Sequence, residues 1–400
     1  MNRYALILIA TLGCAVVACG DNGRLTSADA PPAPDARVAP DTSTSDAATS
    51  DTPAADAPDV RPATSRAVVI AGDFKLGDPG VLTTLDTMTR AVVKNAGPAL
   101  AIGSDPIVRH VGHELVVVNR GENNVTILDD QTLALVAQLS TGANSNPQDV
   151  AVVGNKLYVP TFAGPGVTVL TRGTSTRTTI DLSADDPDGE PDCNSAFLIG
   201  TELYVSCELL ENFQPRGPGK VYVVDTTTDT VETSKTITLT HKNPFGLLEQ
   251  VPDAAPHAGD LVISTVEDFS GPGCLERITP GVTTSTCMIE NSALGGYASR
   301  ITFDTGHGQS VMWAAVAVFD FTHANLRSYD LVTTTLSAAP LSPDGQKIVD
   351  AVQCPSGHLV VIDSTQNANG LRVYDGGTEQ TTAALPIGIS TFSQHGLVCY

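Results

Sequence analysis

The chain has 400 residues, with 22 Lys and Arg against 44 Asp and Glu, for a formal net charge of −22. With no basic patch to offset that charge, nucleic acid and anionic lipid are poor partners, and a cationic partner or divalent ions are electrostatically easier. Aromatic residues make up 5% of a chain that holds 35 Gly and 26 Pro, so many short strands and turns are expected rather than helices; four hundred residues also exceed one ordinary core, and the only long apolar run is N-terminal.

That run is a targeting segment. Arg3 supplies the positive charge and Tyr4 to Val17 is apolar, shorter than the ~20 residues a bilayer span needs. "VVAC", Val16 to Cys19, resembles the lipobox of bacterial lipoproteins. The resemblance implies a signal peptide over residues 1–18, cleaved before Cys19, and a lipid on Cys19. Cys14 fits less well, because Thr11 stands three residues before it. The other reading is an ordinary signal peptide cut nearby, with Cys19 free. Residues 19–66 then read as a linker of Ala, Pro, Asp, Ser and Thr without an aromatic residue. Such a stretch cannot bury enough apolar surface to offset its chain entropy. As a flexible coil it spans about 35–40 Å, enough to hold a domain clear of lipid headgroups.

From Ala67 onward a unit recurs. A turn followed by an apolar strand appears as "DPGVLTTLD" from Asp78, "GPGVTVLT" from Gly164, "GPGKVYVVD" from Gly217 and "GPGCLERIT" from Gly271. "NNVTILD", "ANLRSYD" and "NGLRVYD" fit the same slot. These strands end near Asp86, Asp129, Thr171, Asp225, Thr279, Asp330 and Asp375, at spacings of 43, 42, 54, 54, 51 and 45 residues. That is the size of a four-stranded propeller blade with loop insertions. Within a unit the strand order also repeats: "IVRHV", "ELVVVNR", "NVTILD" and "LALVAQL" in the second, "DVAVV", "KLYVPTF", "GVTVLT" and "RTTIDL" in the third.

The first unit starts at "AVVIAGD" and lacks an innermost strand, whereas the seventh is complete and is followed by a surplus "HGLVCY". The missing and the spare strand match, so the C-terminal segment is expected to pair into the first blade and leave no open sheet edge. The fold class expected is therefore all-β, a seven-bladed β-propeller over residues 67–400. The runs "LYVPTFAGPGVTVL" and "VYVVDTTTDTV" make it resemble the YVTN-type propellers. That resemblance covers most of the chain and speaks to the fold; the same architecture hosts binders, scaffolds and enzymes.

Besides Cys14 and Cys19, six cysteines remain. On the propeller arrangement Cys193 and Cys207 flank the first two strands of blade four, and Cys274 and Cys287 lie on adjacent strands of blade five. Cys354 and Cys399 meet at the seam. The expected pairs are 193–207, 274–287 and 354–399, in a compartment that permits disulfides; buried free thiols are the alternative.

No GxSxG elbow, HExxH, P-loop or dinucleotide fingerprint occurs. "DDPDGEPDC" places Asp186, Asp188, Glu190 and Asp192 on a bent loop, a set of hard oxygen donors that suits calcium or else a solvated acidic loop. The other candidate is the mouth of the ring. The loops entering the innermost strands bring Asp105, Gln148, Asp149, Asn194, Asn243, Arg300, Asp350 and His395 toward the axis. The loops joining second to third strands add Arg120, Glu122, Phe162, Glu208, Asp268, Phe319, Phe321 and His323. Asp105, Gln148, Asn194, Asn243 and Arg300 are candidate ligand-binding groups; His395, Asp350 and Asp149 are the candidates for acid–base or metal chemistry. Each is also a good residue for a turn before a strand.

Two functional classes remain. One is a lipid-anchored envelope protein, held at the outer membrane or cell surface in preference to the inner membrane, whose propeller binds a protein, peptide or small molecule. The other is a lactonase-like hydrolase or a lyase working at the channel mouth. The sequence names neither ligand nor substrate.

Overall fold

In the computed structural model the described residues are 65–269, 271–304, 310–318, 322–389 and 395–400. Cys19, the signal segment and the linker to residue 64 lie outside them, as do Phe319 and Phe321. Ala63–Tyr400 forms one compact unit.

Seven antiparallel sheets follow one another along the chain: six have four strands, and in blade four the outermost position is split between Thr230–Val231 and Ile237–Thr238, both paired with Lys220–Asp225. Blade two shows the plan: Pro106–Val111 is innermost, then Glu114–Asn119, Asn124–Asp129 and, outermost, Leu135–Ser140. The innermost strands of blades three to seven are Ala151–Val153, Cys193–Ile199, Pro244–Gln250, Tyr297–Phe303 and Ile348–Gln353. Blade one takes its innermost strand, Leu397–Cys399, from the other end of the chain, in the register Ala67↔Cys399, Val68↔Val398 and Val69↔Leu397. The ring closes as the strand count requires.

The apolar runs are continuous rather than alternating because each blade is covered on both faces. Val68 and Ile70 pack with Val108, Leu115 and Val117 of blade two. Ala67, Val69 and Ala71 pack with Val360, Ile362 and Val373 of blade seven. The period of two therefore sorts one strand's side chains between two neighbours. Seven clusters of this kind, each shared by two adjacent blades, make up the core. Three disulfides join 193–207, 274–287 and 354–399, and the last ties blade seven to the closing strand.

The ring has two unlike faces. The lower face carries the turns from first to second and from third to outermost strand. The upper face carries the loops that enter each innermost strand and those joining second to third. Three contacts show that these upper loops meet: Arg120 reaches Asp105 at 2.6 Å, Asn194 donates to Glu208 at 3.2 Å, and Asn243 donates to the Glu267 carbonyl at 2.7 Å.

Candidate functional site

The innermost strands place charged side chains inside the ring because most of them are irregular there. Register shifts occur between Cys193 and Ser195, Phe245 and Glu249, Ala298 and Arg300, and Ile348 and Asp350. A bulge adds a residue to one strand and re-aims the side chains beside it. Here the re-aimed residues include Ser195, Glu249, Arg300 and Asp350.

Together these groups form an unbroken polar girdle. Arg109 of blade two grips Asp149 of blade three with two hydrogen bonds, at 2.8 and 2.7 Å. Asp149 also accepts from Ser195 Oγ at 3.0 Å and from the Ala196 amide at 2.9 Å, in blade four. Ser195 Oγ in turn accepts the Leu248 amide of blade five at 2.9 Å. Glu249 of blade five pairs with Arg300 of blade six at 2.8 Å. Arg300 Nε lies 3.4 Å from Asp350 Oδ1 and donates to the Ala351 carbonyl, both in blade seven. Asp350 accepts the Leu397 amide of the closing strand at 3.1 Å, and the His395 carbonyl accepts the Val108 amide of blade two at 3.1 Å.

Two contacts cross the ring instead of following it. Arg109 Nη1 stands 3.6 Å from Glu249 Oε1, although blades two and five are as far apart as a ring of seven allows. The His395 ring, carried by the closing strand's approach, reaches Gly246 of blade five. A Cβ built on Gly246 would stand 3.7 Å from His395 Cε1, and its φ of +84° favours glycine as well. The axis is therefore filled by Arg109, Glu249, Arg300 and His395.

Electrostatics follow from that packing. Asp149 and Asp350 are 0% exposed. Burial, only partly offset by Arg300 and by amide donors, pushes Asp350 up to about 6. Burial, reinforced by the facing Arg300, Arg120 and Arg109, holds the His395 imidazole well below its ordinary value, so it is neutral at pH 7. Its Nδ1 has no hydrogen-bond partner among the described residues. Asp105 is also raised by burial, against the pull of Arg120.

The residues expected at the mouth are thus sorted. Asp149, Arg300, Asp350 and His395 share the axis, and Asp105, Arg120 and Gln148 form a small cluster above it, with Arg120 3.4 Å from Gln148 Oε1. Asn194 is spent bridging to the Pro244 carbonyl at 2.7 Å, and Asn243 turns to its own blade's Glu267. Glu122 caps Ser104, Phe162 binds the Asn146 carbonyl through its amide, His323 contacts Thr322, and Asp268 is exposed. Sequence reasoning missed Arg109 and Glu249. The signal was present: each is a lone charge inside an apolar innermost strand, "IVRHV" and "FGLLEQV". It also missed the edge-to-face trio Phe245, Phe269 and Tyr297 beside the mouth.

On the acidic loop, Asp186 and Asp192 are buried while Asp188 and Glu190 are exposed. Burial, with Asp186, Asp188 and Glu190 alongside, pushes Asp192 up to about 8. Burial and the Asp192 charge raise Glu208 well above its usual range. Among the described residues, the one group with three ligand atoms mutually within 4.8 Å is His241, Cys274 and Glu276. There Cys274 is disulfide-bonded and Glu276 accepts from Thr240, His241 and Thr265.

No protein-family model matches the chain, and no curated protein does. Solved structures do match. A putative 6-phosphogluconolactonase from Bacteroides uniformis is similar at 13% identity and TM-score 0.57, over 84% of this chain and 99% of that one. A quinonprotein alcohol dehydrogenase-like protein from Bacteroides thetaiotaomicron gives 13% and 0.54, over 79% and 74%. Virginiamycin B lyase from Staphylococcus aureus gives 10% and 0.51, over 71% and 85%. At such identities the likeness establishes the fold, a seven-bladed β-propeller, and nothing finer.

Proposed function

We propose that this protein is a lipid-anchored bacterial envelope protein of the YVTN-repeat kind, carried at the outer membrane or cell surface, whose propeller is a rigid binding module. The observation that carries the binding reading is the filled axis. Asp149 and Asp350, the carboxylates best placed for chemistry, are fully buried and spend their oxygens joining one blade to the next. Binding then falls to the upper-face loops, which expose Leu76 (65%), Leu100 (74%) and Phe213 (54%) on loops that differ between blades, whereas Met88 (60%) and Val332 (66%) sit on the repeated lower-face turns. Exposed apolar groups on variable loops suit contact with a protein or peptide.

Two experiments test this. Metabolic labelling with a palmitate analogue should mark the protein in a lipoprotein-processing bacterium, and Cys19→Ala should abolish both label and membrane retention. An unlabelled, soluble wild type sinks the anchor. Photo-crosslinking residues placed at Leu76, Leu100 and Phe213 should capture a partner on cells, while the lower-face position Met88 should not. Equal capture from both faces sinks the assignment of the binding face.

A second reading, a lactonase-like hydrolase or a lyase, is favoured by His395, a neutral imidazole facing Arg300 and Arg120 whose Nδ1 has no partner among the described residues. If it holds, purified protein opens glucono-δ-lactone faster than buffer does, and His395→Gln abolishes the excess.

A further inference from the structure

The upper corner of blade four holds two buried carboxyl groups with no cationic side chain beside them. Asp192 and Glu208 stand opposite one another beside the Cys193↔Cys207 cross-strand pair, and the Glu208 amide donates to the Asp192 carbonyl at 3.1 Å. The disulfide, with a Cα–Cα distance of 3.9 Å, fixes them in place. Asp192 is 7% exposed and Glu208 9%. Like charges directly opposite on neighbouring strands repel, and burial raises the cost of each. Asp186 lies close by, 8% exposed, and its Oδ2 is buried without a hydrogen-bond partner.

The free oxygens can be named. Asp192 Oδ2 accepts the Leu210 amide at 2.8 Å, and Glu208 Oε1 accepts Asn194 Nδ2 at 3.2 Å. Asp192 Oδ1, Glu208 Oε2 and Asp186 Oδ2 receive no donor among the described residues. No Lys or Arg among them pairs with Asp186, Asp192 or Glu208; Lys220, which reaches this loop, is bound to Asp185 at 2.6 Å. A cross-link that holds two carboxyl groups together without a cationic side chain leaves them a proton or a metal ion to share.

We propose that this corner binds a calcium ion through those three oxygens, with the exposed Asp188 and Glu190 closing over it. An all-oxygen donor set of high negative charge suits calcium, which accepts six to eight oxygens in flexible geometry, rather than a softer metal. No three of the carboxylates already have ligand atoms within 4.8 Å of one another. Binding therefore draws the Asp186–Glu190 segment onto the fixed Asp192–Glu208 pair, and the ion ties the connection between blades three and four to the second strand of blade four.

The test uses the full-length protein stripped with EGTA. Isothermal titration with calcium chloride should show one ion per chain, and millimolar calcium should raise the melting temperature by about 2–4 °C. Asp192→Asn combined with Glu208→Gln should lose both responses, and in EGTA it should melt no lower than wild type because the repulsion is gone. Should that variant fail to fold, Asp186→Asn, which leaves the disulfide corner intact, should weaken calcium binding by about tenfold or more. Absence of heat and of any melting shift in wild type would mean the carboxylates share a proton, which overturns the proposal. An undiminished calcium response in either variant overturns it too.

Discussion

The lower and upper faces of the ring are built by different rules. On the lower face one device recurs. Asp86 accepts the amides of Met88 and Thr89 at 2.9 and 2.8 Å, Asp129 those of Gln131 and Thr132, and Asp330 those of Val332 and Thr333. Each ends a third strand and caps the same tight turn. On the upper face blades two, four and five each differ. Blade two closes with an Arg120–Asp105 pair, blade four with an inserted hairpin, Leu210–Glu211 on Gln214–Pro215, and blade five with an aromatic trio. Repetition marks the face that makes a blade a blade. Individuality marks the face, and the girdle just inside it, where the blades of this chain differ from one another.

The sharpest way to break that contrast is to remove a girdle residue. Asp149→Ala would leave the Arg109 guanidinium, the Ser195 hydroxyl and the Ala196 amide without their acceptor. Breaking a buried pair by deleting one partner costs about 3–5 kcal/mol, so a large drop in the urea midpoint is expected. Arg109→Met added to Asp149→Leu should recover much of it. A loss below about 1 kcal/mol would show that the girdle decorates the ring rather than joining it. Next in size is the seam. Cys354→Ser with Cys399→Ser opens a 45-residue separation and should cost about 2–4 kcal/mol, without changing the far-UV circular dichroism spectrum of the folded protein.

The girdle also has a pH signature the lower face lacks. Burial lifts Asp350 to about 6, above its unfolded value near 4. The folded state therefore holds this proton more tightly. Stability from this group is fully present below about pH 4 and is lost as pH rises through 6. Asp350→Asn should remove a rise in unfolding free energy on the order of 2 kcal/mol that wild type shows on acidification from pH 7 to 4.5. Parallel wild-type and variant curves across that range would contradict the assignment.

These differences explain what could be seen in the sequence. The blade count, the closing strand and the cysteine pairs were legible because they follow from local signals that repeat: apolar runs of fixed order, and an aspartate and turn at each strand's end. The spare "HGLVCY" could be matched to the blade that lacked it without any knowledge of packing. The girdle was half legible. Asp149, Arg300, Asp350 and His395 could be placed near the axis because they open innermost strands. Their partners could not, because pairing depends on bulges that shift register by a residue, as between Phe245 and Glu249. Nor does any local pattern announce that Arg109 meets Glu249 across the ring. The lipid anchor expected on Cys19 rests on Val16 to Cys19, outside the described part of the chain.

The smallest effects belong to the lower-face aspartates. Donors on Thr89, on Thr227 and on Thr333 hold Asp86, Asp225 and Asp330 below the usual carboxylate range. A depressed value means that their contribution is present above the unfolded value and fades as pH falls through the folded one. All three are solvated, so their charges are screened. Single changes to Ala should move the melting temperature by no more than about 1–2 °C. The turns lie in blades one, four and six, too far apart to share partners, so the triple variant should give close to the sum of the three. Below about pH 3 the triple variant and wild type should converge. A single lower-face change as damaging as Asp149→Ala would mean that the repeated turns, and not the girdle, hold the blades in register, and the division between the two faces would fall.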